Sequence, residues 1–304
     1  MKALRTLVLA LACLAPLLLS SCSTIDAVTG QKVYNLYTVQ NDVELGQNAM
    51  KENLAELQKQ GVKLNHDPAR MAQLSNIVQR ITAVSDMPQL PYDVTLVHTQ
   101  IVNAAALPGG QMIVFEGLYD PKKGLVKDED ELAAVIAHEI AHVNCRHSTE
   151  RLSKMMTAAA LAEVAAVVAS ANDEDDLATG IRALFAVGTV LMIPMYSRAD
   201  EYEADRVGMF YMAKAGFDPR AAPRIWNRAL EESKEKGKGG GGLALNIFNT
   251  HPTDEKRFQE LSKMVPYAME EYVQTQGAYP PGYQPPDLAT LQANPFNWRT
   301  PKAK

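Results

Sequence analysis

The stretch "AAVIAHEIAHVNCRHSTE", residues 133–150, holds three of the chain's six histidines. Alanine, valine and isoleucine fill the positions between them, the pattern of a buried or half-buried helix. Positions i and i+4 of a helix lie one above the other on the same face. His138 and His142 therefore point the same way, with Glu139 beside them. Two stacked imidazoles inside an apolar helix need a partner, and one metal ion satisfies both. His147 is read as part of the same helix, out of register with the pair.

The spacing His-Glu-x-x-His places two neutral imidazole ligands on one zinc ion and is the zincin signature. The Glu is not a ligand. It takes a proton from the zinc-bound water and passes it to the leaving amine. A helix with solvent-facing histidines is the bland alternative, and it does not explain such apolar flanks. A catalytic zinc also needs a third protein ligand and an open position. His66 and His98 lie upstream, in a loop and a strand. Downstream, "SRADEYEAD" (197–205) offers Glu201, Glu203 and Asp205. Glu201 and Asp205 are four apart and share a face, whereas Glu203 points elsewhere. A ligand carboxylate followed one turn later by a second makes sense, because the second accepts the N–H of a liganding His. A solvated acidic helix face is the alternative.

The rest of the chain sets limits. Its 304 residues, 47% of them hydrophobic, suffice for a sizeable core in one or two domains. A net charge of −5 argues against a nucleic-acid partner, which selects a basic face. At the N-terminus, Lys2 and Arg5 precede an apolar run, Leu7 to Leu19, that is short for a transmembrane helix. It ends in "LSSC" (19–22), which resembles a bacterial lipobox. That resemblance implies cleavage before Cys22, acylation of Cys22 and, with Ser23 next, an outer-membrane destination facing the periplasm. Cys13 leaves with the signal and Cys145 is then alone, so no intrachain disulfide is expected. Cys145 is read as a buried apolar residue rather than a ligand.

Helical spacing covers 42–85, with Asp67 capping a helix that enters through Pro68. "YDVTLVHT" (92–99) alternates as a strand, and 101–120 reads as strand, Pro-Gly-Gly turn, strand. The runs 154–171 and 177–196 read as an apolar helical hairpin packed on the protein, with membrane contact as the alternative. Helices are expected over 197–215, 218–236 and 250–265. "GKGGGG" (237–242) reads as a flexible loop. The resulting division is 1–21 signal peptide, 22–41 lipidated tether, 42–277 peptidase domain and 278–304 Pro-rich tail.

"HEIAH" (138–142), "SRADEYEAD" (197–205) and "THPTDEKR" (250–257), with "NAAALPGG" (103–110) and "GLY" (117–119) upstream, resemble metallopeptidase family forty-eight. That family includes the HtpX-type, CAAX prenyl and BepA- and LoiP-type proteases. The resemblance implies an α+β, mainly helical zincin of the gluzincin type, with a small antiparallel β-sheet whose edge strand lines the active-site cleft. It implies one Zn²⁺ on His138, His142 and Glu201, with Glu139 as general base and acid and Asp205 orienting a ligand. Asn103, Ala104, Ala105 and Ala106 would pair with substrate backbone. His251 matches a histidine that stabilises the oxyanion or gates the zinc, and Arg257 closes the motif. Without a four-helix membrane anchor or a tetratricopeptide domain, the nearest match is a compact lipoprotein. Its expected substrates are misfolded or exposed envelope proteins, and the outer-membrane assembly machinery is a candidate partner. The competing reading is a chaperone-like or binding lipoprotein with a latent or structural metal site. The intact Glu139 speaks against it, since a structural site has no use for a general base.

Overall fold

Fourteen consecutive residues of one helix, Glu131 to Asn144, are buried, and the rest of the chain is arranged around them. In the computed structural model, residues 23–170, 179, 196–236, 251, 255–292 and 299 are described. The N-terminal run with Cys22, the second half of the 154–196 hairpin and the "GKGGGG" stretch lie outside the described residues.

In chain order the elements are β1 (Ser23–Ile25), β2 (Lys32–Tyr34), α1 (Val39–Lys59), α2 (Pro68–Ala83), β3 (Asp93–Val97), β4 (Ala104–Ala106) and β5 (Gln111–Phe115). They continue with α3 (Glu129–Asn144), α4 (His147–Ser170), α5 (Arg198–Lys214), α6 (Ala221–Lys236), α7 (Glu255–Gln276) and the short α8 (Leu288–Gln292). The α+β class is as expected. The sheet that matters is mixed, however, in the order β3-β5-β4. β4 and β5 are antiparallel, joined by the Pro-Gly-Gly turn, while β3 runs parallel to β5. The chain leaves β3, crosses to the far edge as β4 and returns into the middle as β5. A separate antiparallel pair joins β1 and β2.

The turn into β5 is tied to α1. Gly109 has φ 74°, and a Cβ there would stand 2.4 Å from the Cα of Val43. Only glycine allows both the left-handed backbone and that approach. α3 starts under Asp128, whose side chain accepts from the Glu131 N–H, and Glu129, Asp130 and Glu131 favour that end of the helix dipole. It is apolar on every side because α2, α5, α6 and β4 all pack on it.

The segment expected as a tether behaves differently from residue 23 onward. Val28 is buried in the main core, and the Asn35 and Leu36 amides bond to Thr149 Oγ1 and Ser153 Oγ of α4. Residues 23–41 are thus packed against the domain. Arg299, from the Pro-rich tail, donates to Val28 O at 3.0 Å and pairs with Asp86. α4 leaves Met156, Leu161, Val164 and Val167 exposed, but no described helix is long and apolar enough to cross a membrane.

Candidate metal centre

α3 brings His138 and His142 onto one face, and α5 crosses it to deliver Glu201. The crossing is close: a Cβ on Gly208 would stand 2.9 Å from the His138 backbone nitrogen. Ser197 caps α5, forming a reciprocal capping box with Asp200, so Glu201 sits in the first helical turn. The start of α7 brings Arg257 in from the opposite side, and His251 precedes that helix. The side chains of His138, His142, Glu201, His251 and Arg257 are at most 2% exposed.

The ligand-type atoms form a compact figure. His138 Nε2 and His142 Nε2 are 3.1 Å apart. Glu201 reaches them at 3.4 and 3.5 Å. His251 Nδ1 lies 3.2 Å from His138 Nε2 and 3.1 Å from Glu201 Oε1. A tetrahedral ion with bonds of 2.0–2.2 Å to nitrogen and oxygen needs donor atoms roughly 3.3 Å apart. The spacings given above run from 3.1 to 3.5 Å, so the donor set fits zinc.

The outer contacts fix which ring nitrogen faces the centre. His138 Nδ1 lies 3.0 Å from Asp205 Oδ1, an ion-pair contact bent away from ideal hydrogen-bond geometry. His142 Nδ1 lies 2.8 Å from His147 Nδ1, and His147 Nε2 lies 3.1 Å from Glu203 Oε2. Protons on both ligand Nδ1 atoms satisfy these contacts and leave both Nε2 lone pairs for a metal. Arg257 forks onto Asp205 with two bonds of 2.7 Å and reaches Glu201 Oε2 at 2.7 Å. Its guanidinium also lies over the Trp226 ring.

One expectation is corrected here. His147 is not on the helix of the pair: α3 ends at Asn144, Arg146 takes φ 54°, and His147 opens α4. The left-handed Arg146 is held by a buried fork onto Asp42 and by a bond to Tyr37 O. Glu203 does point away from the ligand pair, yet it is buried and reaches His142 through His147. Tyr196 and Trp226 were not anticipated either. Tyr196 stacks on His142 at 3.7 Å, and Trp226 meets His138 edge-on at 5.1 Å. Cys145 is buried, as expected.

Burial opposes charge on every group here, and it prevails at His142 while partners prevail at the carboxylates and His251. Burial holds His142 neutral, down to about 3, despite its contact with Glu201. Glu201 stays ionised well below the usual carboxylate range, because Arg257 and His251 outweigh burial. Asp205 is lowered too, again chiefly by Arg257 against burial. His251 is raised to about 10, as Glu201 and Glu139 overcome burial; a dication among these groups would reverse that sign.

Glu139 lies beside the ligands and not among them. The Ala106 N–H of edge strand β4 donates to its Oε2 at 2.9 Å, and His251 Nε2 lies 3.2 Å from its Oε1. Asn103 O and Leu107 N–H pair with β5, so the peptide groups of Ala104 and Ala106 face the other way, toward the centre. The Ala104 N–H is taken by Asn103 Oδ1.

This arrangement is matched by a family model, Peptidase family M48, over residues 68–265. The chain belongs to peptidase family M48. Family M48 metallopeptidases are zinc-dependent. The chain is 34% identical over 79% of its length to a protein of Schizosaccharomyces pombe named mitochondrial metalloendopeptidase OMA1, covering 66% of that protein. It is 31% identical over 64% of its length to the putative beta-barrel assembly-enhancing protease of Vibrio cholerae, and 27% identical over 65% to the Escherichia coli beta-barrel assembly-enhancing protease. It spans 39% of each of those two M48 relatives.

Proposed function

We propose that this chain is a zinc endopeptidase of the bacterial cell envelope, holding one Zn²⁺ on His138, His142 and Glu201. The observation that carries the reading is a zinc-sized donor set with an ionisable, non-ligand carboxylate, Glu139, hydrogen-bonded to the edge strand beside it. Zinc, when bound, supplies a Lewis acid that polarises a carbonyl and acidifies water. Without a metal, His251 outweighs burial and holds Glu139 below the usual carboxylate range; a bound dication would favour its ionised, proton-accepting form as well. Glu139 then returns the proton it accepts to the leaving amine. The N–H groups of Ala104 and Ala106 are held by Asn103 and Glu139, so the outward carbonyls of this strand are what an extended substrate meets when it adds as a further strand. A carbonyl so placed lies beside Glu139. Folded proteins rarely offer such a free extended segment, which favours misfolded or exposed chains as substrates. The relatives named for beta-barrel assembly support envelope proteins as the substrate class and the outer-membrane assembly machinery as a partner.

His251 acts as a gate in this reading. Its Nδ1 stands at the fourth corner of the donor set and its Nε2 against Glu139. It would therefore fill the open position beside His138 and Glu201 and tie up Glu139 at the same time. An oxyanion donor would instead stand back from the ligands. The test is cleavage of unfolded casein by the zinc-loaded chain, with and without chelator. Wild type should cleave slowly, His251→Ala faster, and chelation should stop both. A loss of roughly 10²-fold in His251→Ala would make it an oxyanion donor. An unchanged rate would remove both roles, and no cleavage by either protein would remove the endopeptidase reading.

The localisation proposed is the outer membrane, facing the periplasm, through lipid on Cys22. The lipobox-like "LSSC" supports it. Cys22→Ala should release the protein from the membrane fraction. Sedimentation with membranes after a carbonate wash would point to the 154–196 segment as the anchor.

A further inference from the structure

Three metal-ligand side chains meet on the far side of the same sheet, outside the buried centre. The approach to α2 is laced onto the outer edge of β3. His98 N–H donates to Lys63 O at 3.0 Å, and Asn65 exchanges two 2.8 Å bonds with Leu96. Leu64 bridges Val97. Asn65 then takes φ 51°, a left-handed turn that asparagine tolerates, and sets His66 beside His98. On the inner side, Val97 and Phe115 are register partners of β3 and β5, so His98 and Glu116 are the next neighbours along both strands. Backbone pairing thus fixes all three positions before the side chains act.

The side chains converge. Glu116 Oε2 lies 2.7 Å from His98 Nδ1, and Oε1 lies 3.1 Å from His66 Nδ1. The two imidazoles stand edge-on with centroids 4.2 Å apart. One donor atom from each residue falls within 4.8 Å of the others. Glu116 Oε1 is buried and makes no hydrogen bond of normal geometry, although His66 is close. An ordinary His–carboxylate pair uses one imidazole; here a second imidazole faces the other, buried oxygen without closing a hydrogen bond.

We propose that His66, His98 and Glu116 form a second divalent-metal site of the zinc class. Two imidazole nitrogens and one carboxylate oxygen suit zinc and its neighbours rather than calcium or magnesium. The histidine side chains are 34% and 50% exposed, which leaves room for water to complete the coordination. An ion here ties the 62–66 segment to the ends of β3 and β5. It braces the outer edge of the sheet whose opposite edge, β4, adjoins Glu139.

The test is zinc titration of the chelator-stripped full chain, read by calorimetry and by metal content after gel filtration. Wild type should take two equivalents and the His66→Ala/His98→Ala double variant one. Glu116→Gln should weaken the second equivalent at least tenfold with an unchanged circular dichroism spectrum. The two histidines are partly exposed, and Gln keeps the volume of the more buried Glu116, so each variant is expected to fold. A wild type that takes only one equivalent, itself lost in Glu201→Ala, would overturn the proposal. So would a double variant that still takes two. Loss of the equivalent assigned to Glu201, with the His66 equivalent intact, would bear on the buried centre alone.

Discussion

Glu201→Ala should lose the zinc of the buried centre, and with it all cleavage. Glu201 is fully buried, and its two oxygens face both ligand histidines, His251 and Arg257. Its removal takes away the only carboxylate among the four donors. It also removes one carboxylate partner of Arg257 and leaves Asp205 in place. Breaking a buried ion pair from one side costs about 3–5 kcal/mol, so unfolding must be followed in the same preparation. Glu201→Gln preserves the volume and separates the two effects: it should fold and still bind zinc poorly. Asp205→Ala should cost about 10–100-fold in zinc affinity or activity, because it orients His138 without touching the metal position. Glu203→Ala belongs in the same class, acting on His142 through His147. Competition with a chromogenic chelator measures all four. Full zinc retention by Glu201→Ala would refute the ligand assignment.

Glu139→Gln should keep zinc and lose turnover. The amide fills the same space and can still accept the Ala106 N–H through its oxygen. It cannot take a proton. General acid–base groups contribute roughly 10²–10⁴-fold to rate, and the loss should fall in that range, in kcat more than in KM. A chaperone-like protein with a structural metal predicts no such split. Its substrate binding would be indifferent to this single oxygen-for-nitrogen exchange.

Much of the centre was legible because helical periodicity converts spacing into direction. His138 and His142 at i and i+4 share a face, and so do Glu201 and Asp205; the structure places both pairs as that rule requires. The strand-turn-strand at 101–120 was legible for a similar reason, since Pro-Gly-Gly ends one extended run and starts another. What escaped detection depends on the tertiary structure. A helix stop is signalled by glycine or asparagine, but α3 stops at a left-handed arginine held by Asp42, a residue a hundred positions away. His147 was consequently assigned the wrong helix, and its contact with His142 went unseen. Glu203 was read only as pointing away from the Glu201 face, because the view along α5 does not show His147 of α4 waiting on that other side. Tyr196 carries no spacing signal at all, as it precedes its helix. The β-hairpin 23–34 is too short to announce itself, and what folds it down is Val28 in the core and Arg146 reaching Thr24. The parallel β3–β5 pair was equally hidden, because strand order is set by the crossover and not by any residue within the strands.

The most direct test of the central claim is zinc content and casein cleavage measured together on wild type and Glu139→Gln, each prepared in the His66→Ala/His98→Ala background so that only the buried centre counts. The account predicts one zinc per chain in both, chelator-sensitive cleavage by the first and cleavage lower by at least 10² in the second. Equal cleavage by the two proteins, or cleavage that survives removal of the zinc, would contradict it.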